Sequence, residues 1–420
     1  MNKIESAVYG LVRKNPAVKQ FVRNCYQSVF DLLPKGKEYF RALPDIKEGF
    51  FFGFHDVTPW SGDETKLLAC HNEFDLRMPN RDEGLHVGYF DFNEGKMGEY
   101  HKLDRSYAWN YHKGCRLQWV DNNSLIFNTS QDGRVCSKII DLSTGSRSAV
   151  PYCIDAVYCD GDAKLATSFS YERLERCMPG YGYPYEDNGM TDIDAPEDTG
   201  LFLIDLCTME RTLAVSLKDL AECSAQSVND GFIHFVTHSE FSKNGRYISF
   251  LYRRVPRNGN YMKRWTRIMV LDRMTNELIT LPSQESGSHY VWNNADQLLA
   301  SCIIDGKSCH VLFDMDNIDN YKIIASDVLN SDGHQSFVSD TLFVTDTYPD
   351  RRRMACLYSA DITSGNTELI AKIYSPKRFQ TKDFKCHIAC DLHPRISPSG
   401  RFVSFDSPST GKRGIYVMKI

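Results

Sequence analysis

From Phe50 onward, hydrophobic and polar positions alternate in short runs broken by turn residues, and the period is that of strands rather than helices. The last thirty residues show the unit most plainly. A polar head (Cys390-Asp391-Leu392-His393-Pro394-Arg395) precedes the tight-turn sequence Ser397-Pro398-Ser399-Gly400, in which proline fixes φ and glycine accepts positive φ. Residues 401–405 then alternate as a strand, Ser409-Thr410-Gly411-Lys412 turns the chain, and residues 414–418 make a second strand. The same order of head, turn and strand recurs in FGFHDVTPWSGDETKLLAC from Phe52, WNYHKGCRLQWVDNNSLIFN from Trp109 and YCIDAVYCDGDAKLATSFS from Tyr152. It returns in HFVTHSEFSKNGRYISFLYRR from His234, SHYVWNNADQLLAS from Ser288 and DGHQSFVSDTLFVTDTYPD from Asp332. Most copies lead into an outer strand that ends in a turn, as in GLFLIDLCTME, TRIMVLDRMTN and ACLYSADITSG. Seven copies, spaced by about 40 to 80 residues, predict an all-β, seven-bladed β-propeller over residues 46–420. The ring closes by pairing the strand at 415–418 with strands near the start of the repeat region.

Residues 1–45 follow a different pattern. Asn15-Pro16 reads as a cap followed by proline in the first turn, and Val18, Phe21, Val22, Cys25, Tyr26, Val29, Phe30 and Leu33 then share one helical stripe that Pro34 ends. A short amphipathic helical segment therefore precedes the propeller. Over residues 1–37, seven basic residues (Lys3, Arg13, Lys14, Lys19, Arg23, Lys35, Lys37) face only Glu5 and Asp31, a charge of about +5. Two readings follow: the stripe packs on the body of the protein, or residues 1–37 make peripheral contact with an anionic membrane surface.

Composition narrows the class. A chain of 420 residues with 42% hydrophobic content can bury a large core, and 12% aromatics suit strands. A formal charge of -5 gives no reason to expect nucleic acid as a partner. No run approaches the roughly 20 apolar residues of a membrane span. The 14 cysteines form no CxxC pair and no signal peptide precedes them, so they read as reduced thiols of a cytoplasmic protein, peripheral at the inner membrane if residues 1–37 dock there.

In a propeller the segments before the innermost strands gather at one mouth of the central channel. Histidines 55, 112, 234, 238, 289, 334 and 393 all lie in the repeated heads. A single such histidine is more often a hydrogen-bonded structural residue, but several in phase with a repeat point to a metal or catalytic site. His289, His334 and His393, with Gln335 and Asp391 adjacent, come from the last three copies and form the candidate ligand set. Arg173, Arg176, Arg253, Arg254, Arg395 and Arg413 could hold carboxylates or serve as loop charges and blade-to-blade bridges. Tyr181 and Trp292, like Trp60, Trp109, Tyr183 and Tyr348, could stack on sugars or fill blade interfaces. A glycoside hydrolase would recruit paired carboxylates from Asp56, Asp332, Asp346 and Asp391, but the histidine bias argues against it.

The motifs SHYVW, DGHQSF followed by TDTYPD, CDLHPRISPSGRFVSFDS, WNYHKGCRLQW and MPGYGY, spread over residues 48–420, resemble those of bacterial proteins related to oligogalacturonate lyase. The resemblance implies a seven-bladed propeller in which histidines of late blades hold manganese, and a β-elimination that cleaves a uronic-acid-containing oligo- or polysaccharide. Carried onto this chain, it implies a divalent metal on His289, His334, His393, Gln335 and Asp391. It further implies His234 as catalytic base with His238 as its local competitor, and charge neutralisation by Arg254 or Arg395. Substrate contacts would come from His55, Arg173, Arg176, Tyr181, Trp292 and Arg413. The family carries a His-Pro-His pair in the last blade; here the stretch is Asp391-Leu392-His393-Pro394, so one ligand position is a carboxylate. The alternative function is a non-catalytic propeller that binds a glycan or a protein partner in bacterial surface-polysaccharide metabolism, since a propeller by itself fixes no function.

Overall fold

The computed structural model describes residues 36–185, 189, 191–224, 231–259, 264–284, 286–381 and 386–420; the helix expected over 15–33 lies outside them. The alternating segments form seven antiparallel sheets, each laid down from the inside outward. Blade 1 comprises Phe50–Phe51, Lys66–His71, Leu85–Asn93 and Lys96–Ser106, and blade 2 comprises Gln118–Trp119, Ser124–Gln131, Arg134–Asp141 and Arg147–Val150. Blade 3 is built from Val157–Asp160, Ala163–Ser168, Gly200–Asp205 and Arg211–Ser216, and blade 4 from Phe232–Phe241, Tyr247–Pro256, Trp265–Asp272 and Glu277–Thr280. Blade 5 uses Tyr290–Trp292, Gln297–Ile304, Lys307–Asp314 and Lys322–Ile324, and blade 6 uses Gln335–Phe337, Leu342–Asp346, Met354–Asp361 and Thr367–Tyr374.

Blade 7 closes the ring as the repeat phasing predicts. Its inner strands Arg395–Ile396, Phe402–Ser407 and Gly414–Lys419 are completed by Asp45–Glu48, with Asp45 opposite Val417 and Ile46 opposite Tyr416. Tyr39–Phe40 adds a fifth strand to the outer edge of blade 6.

Local chemistry explains the repeated turns. The third strands of blades 2, 3, 4 and 6 end in Asp141, Asp205, Asp272 and Asp361, and each carboxylate accepts backbone N–H groups two or three residues on. That is why the pattern Asp-x-x-Thr/Ser recurs at these positions. Blade 3 carries an insertion between its second and third strands, residues 169–199, which opens with helix α1 (Tyr171–Cys177), capped by the Ser170 side chain. Helix α2 (Leu217–Cys223), with a capping box between Ser216 and Asp219, links blade 3 to blade 4.

Trp292 lies in the core between blades 4 and 5. It stacks on Tyr247 at 5.7 Å and 8°, and its indole N–H donates to Ser249 Oγ at 2.9 Å. Among the described residues no helix is long and apolar enough to cross a membrane, and the described cysteines are free.

Candidate metal centre

The inner ends of blades 1, 2 and 7 are locked together by one buried frame. Asp406 accepts the backbone N–H of Phe52 at 3.1 Å and of Gly53 at 3.0 Å, and it pairs with Arg395 Nη2 at 3.1 Å. Arg395 Nη1 also donates to the Gly53 carbonyl at 2.9 Å. Gly53 (φ +119°) and Gly114 (φ +61°) meet backbone to backbone: a Cβ on Gly53 would lie 2.8 Å from Gly114 N, and one on Gly114 would lie 2.7 Å from Phe52 O. Only glycine fits both places. The consequence is that Phe54 is driven to the centre of the channel.

Six histidines surround the Phe54 ring. Centroid separations are 4.6 Å to His55, 5.1 Å to His112, 4.9 Å to His238, 5.7 Å to His289, 5.8 Å to His334 and 5.0 Å to His393. They also form a chain among themselves, His289 to His334 at 4.0 Å, His334 to His393 at 4.2 Å and His393 to His112 at 5.0 Å. Ligand atoms of His112, Asp391 and His393 all lie within 4.8 Å of one another, the spacing of a cation site.

Hydrogen bonds fix which imidazole nitrogen is available. His393 Nδ1 meets the Gly53 carbonyl at 2.8 Å and His55 Nδ1 meets the Gln335 carbonyl at 3.0 Å. His334 Nδ1 lies 2.9 Å from Asp346, and His289 Nδ1 lies 3.0 Å from Asp332. Carbonyls and carboxylates only accept, so Nδ1 carries the proton in each case, and in the neutral ring the Nε2 lone pair is left for something else. In His334 and His393 that Nε2 is buried with no hydrogen-bond partner, as are both ring nitrogens of His112 and Gln335 Oε1. Leaving such atoms unmet is costly, and imidazoles whose far N–H is held by a carboxylate or carbonyl are the usual ligands of divalent metals. These residues therefore fit a divalent ion.

The electrostatics are consistent with neutral donors. Burial pushes His55, His112, His238 and His393 well below the usual imidazole range, and neighbouring imidazoles or cations add to the effect. His334 is the exception. Burial opposes its charge, but the Asp346 carboxylate outweighs it and raises the group. Burial lifts Asp391 to about 6. Asp346 also accepts the backbone N–H of His334 at 2.8 Å and of His393 at 3.0 Å, so one carboxylate orients the His334 ring and fixes the backbone of both histidines. An Asp346→Asn protein is expected to bind a divalent ion some 10–100-fold more weakly in a metal titration, the usual cost of losing an outer-sphere partner.

Not all the sequence-derived candidates meet here. The channel brings together His55, His238, His289, His334, His393 and Asp391, together with Tyr181, whose ring lies 4.3 Å from His112. His234 is buried away from Phe54, with Nδ1 2.5 Å from Tyr252 Oη. Gln335 turns its amide N–H toward Ser301 Oγ at 2.7 Å and Gly333 O at 2.9 Å. Arg395 serves the frame, and Arg413 donates to Ile388 O at 2.9 Å beside Asp75. Arg173 donates to His234 O at 2.6 Å, Arg176 is exposed at the end of α1, and Arg254 lies over Phe232 and Trp265.

Phe54, His112, His387, Asp332 and Asp346 complete the centre beyond the ligand, base and substrate residues assigned from sequence, His387 lying 4.9 Å from His112. His112 kept phase with the repeat, and the two aspartates sat in the DGHQSF and TDTYPD motifs. Beside the ring, Lys113 Nζ pairs with Asp155 at 2.7 Å and Arg116 bridges Asp155 and Asp56 at 3.1 and 2.7 Å, all with buried side chains.

No family model matches the sequence, and no curated protein matches it. Among solved structures, an oligogalacturonate lyase in complex with manganese is 15% identical with a TM-score of 0.61, over 92% of this chain and 98% of that one. An oligogalacturonate lyase from Vibrio parahaemolyticus is 12% identical with a TM-score of 0.55, over 92% and 99%. The tricorn protease is 11% identical with a TM-score of 0.52, and there the match spans 34% of that chain. The likeness first read from the head motifs thus extends to three dimensions: this chain has the fold of the oligogalacturonate lyase structures over nearly their whole length.

Proposed function

We propose that the histidine ring holds one divalent cation, Mn2+ by likeness to the manganese-bound lyase structure, and that the protein cleaves a uronate-containing glycan by β-elimination. The observation that carries this reading is the set of buried nitrogens without hydrogen-bond partners on His112, His334 and His393, whose rings follow one another at 4.2 Å (His334 to His393) and 5.0 Å (His393 to His112). His112, Asp391 and His393 would hold the ion, with His334 and His289 beside them. When bound, such an ion supplies Lewis-acid neutralisation of the uronate carboxylate, which makes the neighbouring C5 proton more acidic.

His238 takes that proton. Its ring faces Phe54 and Tyr181, and burial, with Lys113 next in effect, keeps it neutral and able to accept. Its Nδ1 lies 2.9 Å from Thr237 Oγ1; donation there leaves the Nε2 lone pair for the substrate. As the C5–H bond breaks toward His238, the C4–O bond opens, a C4=C5 double bond forms and the leaving alkoxide is protonated by water. His238 has φ +56° on a bulged stretch of the innermost strand of blade 4, an orientation held by Tyr290 Oη donating to its carbonyl.

The test is ultraviolet absorbance of the unsaturated product when oligogalacturonate and Mn2+ are supplied. His238→Ala is expected to lower turnover about 100-fold or more with unchanged metal content. Full turnover in that variant together with loss in His234→Ala would move the base to His234. No absorbance rise on any galacturonate, glucuronate or mannuronate polymer would sink the reaction.

A further inference from the structure

One buried cation near the channel has no paired carboxylate among the described residues. Arg253, on the second strand of blade 4 opposite Phe235 and Thr266, is only 3% exposed. Its Nη1 donates to the thioether sulfur of Met178 at 3.2 Å, and its Nε is buried with no hydrogen-bond partner. Arg264 Nη1 reaches the same sulfur at 3.8 Å. Among the described residues no carboxylate pairs with either guanidinium. Asp332 is occupied, one oxygen on His289 and the other on Ser288.

Three other buried arginines offer a contrast. Arg116 has Asp56 and Asp155, Arg395 has Asp406, and Arg413 has Asp75. A sulfur is a weak acceptor and carries no charge, whereas a buried guanidinium needs both acceptors and an anion.

Met178 opens the loop whose Tyr181, three residues on and so at most about 10 Å away along the chain, contacts His112 and lies 5.9 Å from His238. Arg253 is also among the charges that depress His238. The guanidinium fork matches a planar carboxylate bidentately. We propose that Arg253, assisted by Arg264, is the receptor for a sugar carboxylate of the glycan, displacing the Met178 sulfur contact when that ligand enters. Choice of a uronate rests on the functional reading above; the receptor itself depends neither on the metal nor on the elimination.

The experiment is calorimetric titration of the purified protein with trigalacturonate and with its neutral counterpart galactotriose, in parallel with thermal melting and metal analysis. Arg253→Gln is expected to weaken trigalacturonate binding roughly 30-fold or more, to leave metal content unchanged, and to melt no lower than the parent, because it removes an uncompensated buried charge. Arg253→Lys should recover only part of the affinity. Arg264→Gln, at an exposed position, should give a smaller loss of the same kind. Binding by Arg253→Gln equal to that of the parent overturns the inference, as does a lowered melting temperature with proportionate loss for both sugars. The two readings separate cleanly. Binding without turnover, lost in Arg253→Gln, keeps the receptor and removes the lyase; turnover unaffected by Arg253→Gln does the reverse; a parent that binds no acidic sugar removes both.

Discussion

His393→Ala is expected to be purified with divalent metal at background while the parent carries it stoichiometrically, and turnover should fall with it. His393 is common to both parts of the ring. Its ligand atom groups with those of His112 and Asp391, and its imidazole lies 4.2 Å from that of His334. The Nδ1 bond to Gly53 O and the backbone bond to Asp346 hold the ring in one orientation, at a left-handed φ of +46°. Removing a ligand should cost more than the 10–100-fold that loss of an outer-sphere partner costs. Elemental analysis after dialysis, with circular dichroism to show an intact fold, is the measurement. Full metal occupancy in His393→Ala would place the ion elsewhere.

The second large effect is on stability. Asp155, fully buried, accepts at its carboxylate from Lys113 Nζ at 2.7 Å, Ser239 N at 2.7 Å and Tyr171 Oη at 2.9 Å and lies 3.1 Å from Arg116 Nε, so it ties blades 2, 3 and 4 together beside the channel. Asp155→Ala would leave two buried cations short of their shared anion, and a loss of about 3–5 kcal/mol is expected, read as a lowered denaturant midpoint. A midpoint shifted by less than a tenth of that would mean water or other groups compensate the cations. The same carboxyl predicts acid behaviour. Burial opposes its charge, but Arg116 and Lys113 outweigh it and hold it down to about 2. With the folded value below the ordinary 3.8, the contribution is fully present above about pH 4 and is lost as pH falls toward 2. Asp155→Ala should therefore flatten acid unfolding in that window.

The fold was legible in the sequence because a propeller repeats one local unit. Alternation, Ser-Pro-Ser-Gly-type turns and Asp-terminated outer strands are all short-range signals, and seven copies of them add up. Even the closure followed, since a terminal strand without a partner needs an edge, and Asp45–Glu48 supplies it. The phase of His289, His334 and His393 with the repeat was likewise enough to bring them together.

What the sequence by itself determined, then, was the ring and the end of the channel where the histidines collect. Which side chains point inward was decided by the tertiary structure, and for identifiable reasons. The bulge between Thr237 and Glu240 breaks the two-residue alternation of the innermost strand of blade 4, so His238 joins the ring and His234 turns to Tyr252. Adjacent Arg253 and Arg254 face opposite sides of one strand, one toward Met178 and the other over Phe232 and Trp265, and no local pattern tells them apart. Arg395 looked like a substrate fork, but Asp406 and Gly53, remote in sequence, claim it for the frame. His112 and Asp391 become a candidate ligand pair only because closing the ring lays blade 7 against blades 1 and 2. Local periodicity fixes elements, whereas the partners of a buried charge or imidazole are set by contacts between blades that the chain makes only once it is folded.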